Sequence, residues 1–324
     1  MIEKNSDHQP REVAIIMGRV GTILVTGATG SVGGQAVSQL AGTGVTVRAL
    51  TRNPRSARSL AGAGRHVEVV GGDLAEPDTL APVLDGVDAV FLVFPSVSAD
   101  DAAPALIAAL TARARRIVYL SAAGVSDDPV SDDPETPARP DAPDGSILGS
   151  HALLERLIRG SAAEWTFLRS SGFASNTLMW AGQLQNGDVL RWYHGGATRA
   201  LIHEYDLAAV GVRALLDDGH DRARHHLTGP KQLTQVEQLH AIGDAIGRPL
   251  RFEELDPRTA RTELFADLPG DLIDSIIEAH GAMVNHPEPV TTTVAQLTGR
   301  PARPFARWAR DHADDFRAAD GRPG

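Results

Sequence analysis

A glycine-rich turn between an apolar run and an amphipathic run constrains this 324-residue chain more than any other feature. The turn, TGATGSVG, covers residues 26–33 and follows the short β-branched run TILVT, which begins at Thr22. The next segment, Ser31–Leu40, carries apolar residues at helical spacing. A strand, a glycine turn and a helix in this order form the context in which glycines bind the pyrophosphate of a dinucleotide. The turn therefore predicts a βαβ unit at the start of the ordered chain.

The segments that follow continue the alternation of strands and helices. Strands are predicted at Val45–Leu50, His66–Val70, Ala89–Phe94, Arg116–Leu120 and Trp165–Leu168. Helices are predicted at Pro77–Leu84, Ala102–Ala112 and Ile147–Arg159. Apolar strands that alternate with helices form parallel sheets covered on both faces. The sequence therefore predicts an α/β fold with a doubly wound parallel sheet.

The domain organisation follows from where this alternation starts and stops. We expect a flexible tail over 1–18, a dinucleotide-binding domain over 19–172 and a mostly substrate-binding part over 173–324, with 201–228 returning to the sheet. The acidic, proline-rich stretch Ser126–Asp144 is predicted to be a loop, and 173–200 an irregular, aromatic-rich segment.

Helix signals mark the carboxy-terminal part. Thr234 and Glu237 form a capping box that predicts a helix to about Ile246, and Asp256 before Pro257 marks a second helix start. Phe305, Trp308 and His312 predict a closing amphipathic helix that docks on the body.

Charge and composition limit the partners. The net charge of −10 argues against a broad nucleic-acid surface, and the absence of cysteine excludes disulfides and thiolate metal sites. No apolar run approaches the length of about 20 residues that a membrane helix needs. We therefore expect a cytoplasmic protein with a small-molecule substrate, no metal, no membrane and no nucleic-acid partner, and we leave a homodimer open.

The glycine turn supplies the first candidate site residues. Gly27 allows a sharp turn, Gly30 lets the backbone approach the pyrophosphate, and Gly33 lets the helix pack on the strand. The helix amino terminus adds free N–H groups and a positive dipole end. Dinucleotide binding is assigned to Gly27, Thr29, Gly30, Ser31, Val32 and Gly33.

The end of the second strand selects the cofactor. NAD sites place an acidic residue there for the ribose 2′-hydroxyl, whereas a 2′-phosphate requires a cation. The segment Ala49–Pro54 contains no carboxylate and one arginine, Arg52. The competing interpretation of Arg52 is a solvated surface arginine. We favour NADP (as NADPH) over NAD.

These motifs together resemble the NmrA-like group of atypical short-chain dehydrogenase/reductases. The glycine turn, TRNP, GGDL, LSAAGV and FLRSSGF carry the resemblance, which extends over nearly the whole chain. The resemblance implies an extended Rossmann domain with a smaller carboxy-terminal part over the nicotinamide. It places Asp73 and Leu74 at the adenine, Phe94 and Pro95 along the ribose and nicotinamide, and Ser121 at the edge of the active site. The alternatives are that Asp73 caps a helix and that Phe94 belongs to the core.

The catalytic pair of most members of that superfamily, Tyr-x3-Lys, is absent. Alanine stands four residues after each of the three tyrosines, and the only lysines are Lys4 and Lys231. On the helix that normally carries the pair, the corresponding residues are Ile147 and His151.

Candidate catalytic residues are therefore His151, Ser121 and Tyr193. For His151 the competing interpretation is a packed histidine, and for Tyr193 a pocket-lining aromatic. The predicted function is an NADP(H)-dependent oxidoreductase that transfers hydride to a quinone or conjugated carbonyl. The alternative is a non-catalytic, NAD(P)-sensing regulatory protein of the NmrA type.

Overall fold

In the computed structural model, seven parallel strands form the central sheet. The structure describes residues 20–317 except 56, 58, 59, 61, 96–98, 127–145 and 267–269. The strands of this sheet are β1 (Thr22–Val25), β2 (Thr46–Thr51), β3 (Val67–Gly71), β4 (Ala89–Leu92), β5 (Arg116–Ala122), β6 (Glu164–Ser170) and β9 (Ala223–Leu227). Their order across the sheet is β3-β2-β1-β4-β5-β6-β9, and it reverses between β1 and β4, as in a doubly wound sheet. The predicted fold class is confirmed.

Helices cover both faces of the sheet. They are α1 (Ser31–Leu40), α2 (Ala81–Leu84), α3 (Ala103–Thr111), α4 (Ile147–Arg159) and α6 (Glu204–Leu216), with 3₁₀ turns at Pro77–Leu80 and Asp100–Ala102. One apolar cluster lies between the sheet and α1 and α6, and a second lies between the sheet and α2–α4. Because both faces are covered, β4 and most of β5 and β6 are buried throughout.

The carboxy-terminal part has its own apolar cluster, which includes Trp180, Trp192, Tyr193 and Trp308. Its elements are α5 (Ala181–Gln185), β7 (Val189–Tyr193), β8 (Thr198–Arg199), β10 (Leu233–Thr234), α7 (Gln235–Ile246), β11 (Arg251–Leu255), α8 (Pro257–Leu264), α9 (Gly270–Asn285), α10 (Thr293–Thr298), α11 (Phe305–Asp311) and α12 (Ala313–Phe316). Within the described ranges, no helix is long and apolar enough to span a membrane.

The segment 173–200 differs from its sequence prediction. It was expected to be irregular, but it contains a 3₁₀ helix (Ala174–Trp180), α5, β7 and β8. Strand β7 pairs in parallel with β11, and β8 pairs with β10. These strands are held by partners distant in sequence, which a local pattern does not reveal. The expected tail over 1–18 and nearly all of the loop Ser126–Asp144 lie outside the described residues.

Candidate functional site

The glycine turn leaves β1 at the carboxyl edge of the sheet. Thr26 fastens this point to β4, because its hydroxyl accepts from the N–H of Val93 at 2.7 Å and donates to the Val93 carbonyl at 2.8 Å. Gly27 has φ of +58°, a region that disfavours side chains. A Cβ at Gly27 would also lie 3.1 Å from the Val93 side chain. The turn is therefore fixed where β1 and β4 diverge.

Gly30 and Gly33 have different local surroundings. Gly30 has φ of −86°, which any residue adopts, and its added Cβ would lie 3.3 Å from the Gly27 carbonyl oxygen. An added Cβ at Gly33 would lie only 2.2 Å from that oxygen, so α1 touches the turn itself. Gly30 precedes α1 as its N-cap and supplies no side-chain acceptor to the first N–H groups of Ser31, Val32 and Gly33. This arrangement fits an external oxyanion such as a pyrophosphate.

The end of β2 presents a basic turn. Thr51 is the last residue of β2, and its hydroxyl accepts from the N–H of Asn53 at 3.2 Å. The Asn53 side chain in turn accepts from the N–H of Arg55, also at 3.2 Å. Arg52 and Arg55 are both exposed in this turn. Sequence reasoning singled out Arg52 and overlooked Arg55, although the two belong to the same TRNPR segment.

The residues assigned to the adenine and nicotinamide side lie after β3 and β4. The Asp73 carboxylate accepts from the N–H of Ala75 at 3.0 Å and so closes a tight turn. Leu74 and Phe94 are buried in the same apolar cluster, and Pro95 is exposed. Asp73 thus closes a turn and does not cap the 3₁₀ helix at Pro77–Leu80, whose N-cap is Glu76. The core position expected as the alternative for Phe94 is present.

Ser121 belongs to a buried polar network. Its hydroxyl donates to Glu155 Oε1 of α4 at 2.7 Å. Arg169 of β6 holds the same carboxylate with two donors, Nε to Oε1 at 2.9 Å and Nη2 to Oε2 at 2.7 Å. Arg169 Nη2 also donates to the Ser126 carbonyl at 3.3 Å. The network ties α4 and the chain after β5 to the edge of the sheet.

His151 lies one turn before Glu155 on the same helix. Its Nδ1 shares a hydrogen bond of 2.6 Å with the hydroxyl of Tyr119, a fully buried residue of β5. Burial lowers the pKa of His151 to about 4, although the nearby carboxylates Glu155 and Asp100 oppose the shift. Burial also raises the pKa of Tyr119 well above its usual value. The pair is therefore uncharged near neutral pH.

Tyr193, at the end of β7, belongs to a different apolar cluster from Tyr119. It is fully buried, and its hydroxyl has no hydrogen-bond partner among the described residues. Burial raises the pKa of Tyr193 to about 12, against the opposing charge of Arg199. The structure thus brings Ser121 and His151 together on α4 and β5, and it places Tyr193 with other residues of the carboxy-terminal part.

Sequence reasoning missed Glu155 and Arg169, which bind Ser121 into its network. It also missed His280, which stacks on Tyr193, and Arg199, which hydrogen-bonds His280. Glu155 lies within the predicted helix Ile147–Arg159, but the pattern did not indicate its full burial. The sequence did offer a signal for this pair. Glu155 lies on the apolar face of its helix and Arg169 lies inside a strand, and buried charges are normally paired with each other. Arg199 and His280 gave no local signal.

The family model that describes NAD(P)H-binding proteins matches residues 27–218 of this chain. A Streptomyces griseus protein, (4-alkanoyl-5-oxo-2,5-dihydrofuran-3-yl)methyl phosphate reductase, is 39% identical over 295 residues, which cover 91% of this chain and 99% of the relative. The NAD(P)H azoreductase of Xenophilus azovorans is 33% identical over 301 residues, which cover 92% of this chain and 100% of the relative.

Solved structures agree with the fold. The NADPH complex of an NADPH-dependent quinone oxidoreductase from Escherichia coli has a TM-score of 0.69 at 21% identity, with 89% of this chain and 99% of that chain covered. A mutant NmrA has a TM-score of 0.65 at 17% identity, with 92% of this chain and 97% of that chain covered. The fold that the resemblance implies is therefore confirmed by these structures, and the family model confirms its NAD(P)H-binding character.

Proposed function

This chain belongs to the NAD(P)H-binding family and is an NAD(P)H-dependent oxidoreductase, and we propose that it transfers hydride from NADPH to a conjugated carbonyl acceptor such as an unsaturated lactone or a quinone. NADPH, when bound, supplies the hydride. The chain's own residues bind the cofactor, exclude water and hydrogen-bond the acceptor.

The observation that carries the proposal is the neutral Tyr119–His151 pair in place of a tyrosine–lysine pair. A ketone that accepts hydride becomes a strongly basic alkoxide, which needs a proton donor. His151, with its pKa lowered to about 4, is uncharged and offers no imidazolium proton at neutral pH. A conjugated acceptor leaves a delocalised enolate or phenolate, which needs little acid assistance. The surroundings of His151 therefore favour the conjugated acceptor.

The names of the two relatives support this acceptor class. The Streptomyces griseus relative is named for a 5-oxo-2,5-dihydrofuran, in which a carbon–carbon double bond is conjugated with a carbonyl. The other relative is named an azoreductase, so its acceptor has a nitrogen–nitrogen double bond. Both names describe reductases, which favours turnover over the alternative of a cofactor sensor.

NADPH is proposed over NADH because of the turn after β2. Arg52 and Arg55 are exposed there, and no carboxylate occurs among residues 51–55. The guanidinium group pairs with phosphate oxygens, whereas the ribose hydroxyl of NAD calls for an acidic acceptor.

Single-turnover mixing tests the proposal. The enzyme is preloaded with NADPH and mixed with menadione, an unsaturated lactone and an unconjugated ketone of similar size. We expect NADPH oxidation with the two conjugated acceptors and none with the ketone. Rapid reduction of the unconjugated ketone would contradict the reasoning from His151, and failure of all acceptors would favour the sensor.

The His151→Leu variant tests the role of the helix position itself. We expect kcat to fall at least about 10-fold, because the lost imidazole hydrogen bond acts near the reacting groups. NADPH affinity should change by less than about 1 kcal/mol. In the wild type, kcat should not titrate between about pH 5.5 and 8, since the pKa of His151 lies at about 4. Unchanged kcat in His151→Leu would make this histidine a packing residue.

A further inference from the structure

Several polar atoms without partners cluster around Tyr193 in the carboxy-terminal part. Four side-chain atoms are buried and make no hydrogen bond within the part of the chain that the structure describes: Trp192 Nε1, the Tyr193 hydroxyl, Arg199 Nε and His280 Nδ1. The ring centroids of Tyr193 and His280 are 5.6 Å apart, and those of Trp192 and Tyr193 are 5.3 Å apart. Buried polar groups in native proteins are almost always paired, so such a cluster indicates that a partner is missing.

The hydrogen bonds of this cluster fix which atoms donate. Arg199 Nη1 lies 3.1 Å from His280 Nε2. A guanidinium group only donates, so Nε2 accepts and the proton of the ring is on Nδ1. Burial, followed by the charges of Arg199 and His194, lowers the pKa of His280 to about 3, so the ring is neutral. The unpartnered atoms of Tyr193, Arg199 and His280 are thus three donors that lack an acceptor.

The cluster adjoins the carboxyl end of the sheet, where ligands of doubly wound folds bind. Gly172 follows β6 by two residues, and a Cβ on it would lie 2.0 Å from Arg199 Nη2. The next residue, Phe173, is bridged to Ile202. The guanidinium therefore packs directly over the end of β6, where only a glycine leaves room for it.

The charge of Arg199 is already balanced. Glu288 Oε1 accepts from Arg199 Nη2 at 3.1 Å, and Glu288 Oε2 accepts from the N–H of Ala200 at 3.0 Å. The side chains of Arg199 and Glu288 are 14% and 15% exposed. A second anion would meet the Glu288 carboxylate, which already offsets the charge of Arg199. The free donors therefore suit an uncharged acceptor oxygen.

We propose that Tyr193, Arg199 and His280 form a subsite that binds the carbonyl oxygen of the acceptor. This inference rests on the proposed function and adds the residues that recognise the acceptor. When hydride adds to the β carbon of a conjugated carbonyl, a C–H bond forms, the carbon–carbon π bond breaks and its electron pair moves through the conjugated system to the oxygen. The oxygen becomes an enolate, which later takes a proton from solvent, while NADPH is oxidised to NADP⁺. With a quinone, the protonated product then tautomerises to the hydroquinone. Donors aimed at this oxygen stabilise the charge as it develops.

Equilibrium binding tests the subsite without requiring turnover. Calorimetry measures menadione binding to the complex of the full chain with NADP⁺. We expect Tyr193→Phe to weaken menadione about 5–10-fold, the usual effect of one lost hydrogen bond, and to leave NADP⁺ affinity unchanged. Tyr205→Phe is the matched control, because the Tyr205 ring packs against Arg303 and His203, which lie outside the cluster. Tyr193→Phe should fold normally, since it removes a hydroxyl that has no partner.

Turnover separates this subsite from the proposed function. Tyr193→Phe should also lower kcat at least about 10-fold, as expected for a donor that acts on the developing charge. Wild-type binding of menadione without any NADPH oxidation would refute hydride transfer and sustain the subsite. No binding to the wild-type complex, or equal binding by Tyr193→Phe, would overturn the subsite.

A charged probe distinguishes an uncharged ligand from an anion. The sulfonated quinone 1,2-naphthoquinone-4-sulfonate is compared with menadione on the wild-type complex. We expect the sulfonate to bind no more tightly than menadione, because Glu288 already neutralises Arg199. Binding of the sulfonate about 10-fold more tightly, lost in Arg199→Gln, would overturn the proposal in favour of an anion site.

Discussion

Removal of the buried Glu155 carboxylate should destabilise the fold far more than removal of an exposed one. The side chains of Glu155 and Arg169 are 0% and 1% exposed, and two hydrogen bonds join them. The Glu155→Leu substitution removes the buried carboxylate that pairs with the Arg169 guanidinium, and breaking such a pair costs about 3–5 kcal/mol. The Ser121 hydroxyl loses its acceptor in the same variant, which adds about 1–3 kcal/mol unless the hydroxyl reorients.

The double variant Glu155→Leu/Arg169→Met should recover most of that loss. A buried ion pair costs desolvation energy, so apolar residues of similar volume often replace the pair at little or no cost. We therefore expect the two single variants to be non-additive, with a coupling free energy of about 3 kcal/mol or more. The exposed pair of Arg261 and Asp274, at 2.6 Å with side chains 45% and 56% exposed, supplies the control. Asp274→Leu should cost less than about 1 kcal/mol.

Urea unfolding at equilibrium gives the free energy of unfolding of each protein. The proteins are the wild type, Glu155→Leu, Arg169→Met, the double variant and the control Asp274→Leu. The reasoning fails if Glu155→Leu costs no more than Asp274→Leu, or if the double variant is as unstable as the two single variants added together. Either result would mean that water or a rearranged side chain compensates the guanidinium.

Three further predictions concern the glycine turn, the cofactor and the carboxy-terminal helices. Gly30→Val should keep the fold and lose NADPH binding, whereas Gly33→Ala should lower the thermal midpoint, because its Cβ would lie 2.2 Å from the Gly27 carbonyl oxygen. Melting curves in which Gly30→Val is the less stable variant, or calorimetry in which it still binds NADPH, would contradict this. Arg52→Asp should weaken NADPH by about 2–4 kcal/mol and NADH much less, and equal losses in titrations would show that it does not select the cofactor. The hydrogen bond to Glu204 raises the pKa of His312 in the folded protein. The protonated His312 therefore stabilises the fold fully below about pH 6.5, the pKa of an unfolded histidine, and this contribution is lost as the pH rises through the raised pKa of the folded state. The difference in urea midpoint between wild type and His312→Gln should therefore shrink with rising pH, and a constant difference would refute it.

The parts of the fold that the sequence predicted well are those determined locally. The helix Ile147–Arg159 has the bounds that its apolar spacing indicated, and the capping box at Thr234 is present with both of its hydrogen bonds. Each depends on residues within a few positions of one another. By contrast, β7 is stabilised by β11, some sixty residues later, and no local pattern identifies that register.

The same distinction applies to the candidate site. The glycine turn and Arg52 follow strands directly, so their place at the edge of the sheet could be predicted from the order of elements. His151 was located on its helix, but its partner Tyr119 lies 32 residues earlier, and the lowered pKa results from burial that only the packed fold creates. The cluster at Arg199 joins two strands and a helix, which explains why the sequence did not indicate it.

The two halves of the candidate site also differ in the groups that build them. The cofactor half consists mainly of backbone N–H groups at one turn, whose conformation requires glycine at Gly27 and Gly33. The proposed acceptor half consists of side chains on β7, β8 and α9, which pack in a separate apolar cluster from the sheet. Side chains of the acceptor half can be exchanged without disturbing that turn, because the two halves pack in different apolar clusters and such sites couple weakly. A chain of this kind can therefore keep one cofactor and one hydride chemistry while the residues around Tyr193 adapt to a different acceptor.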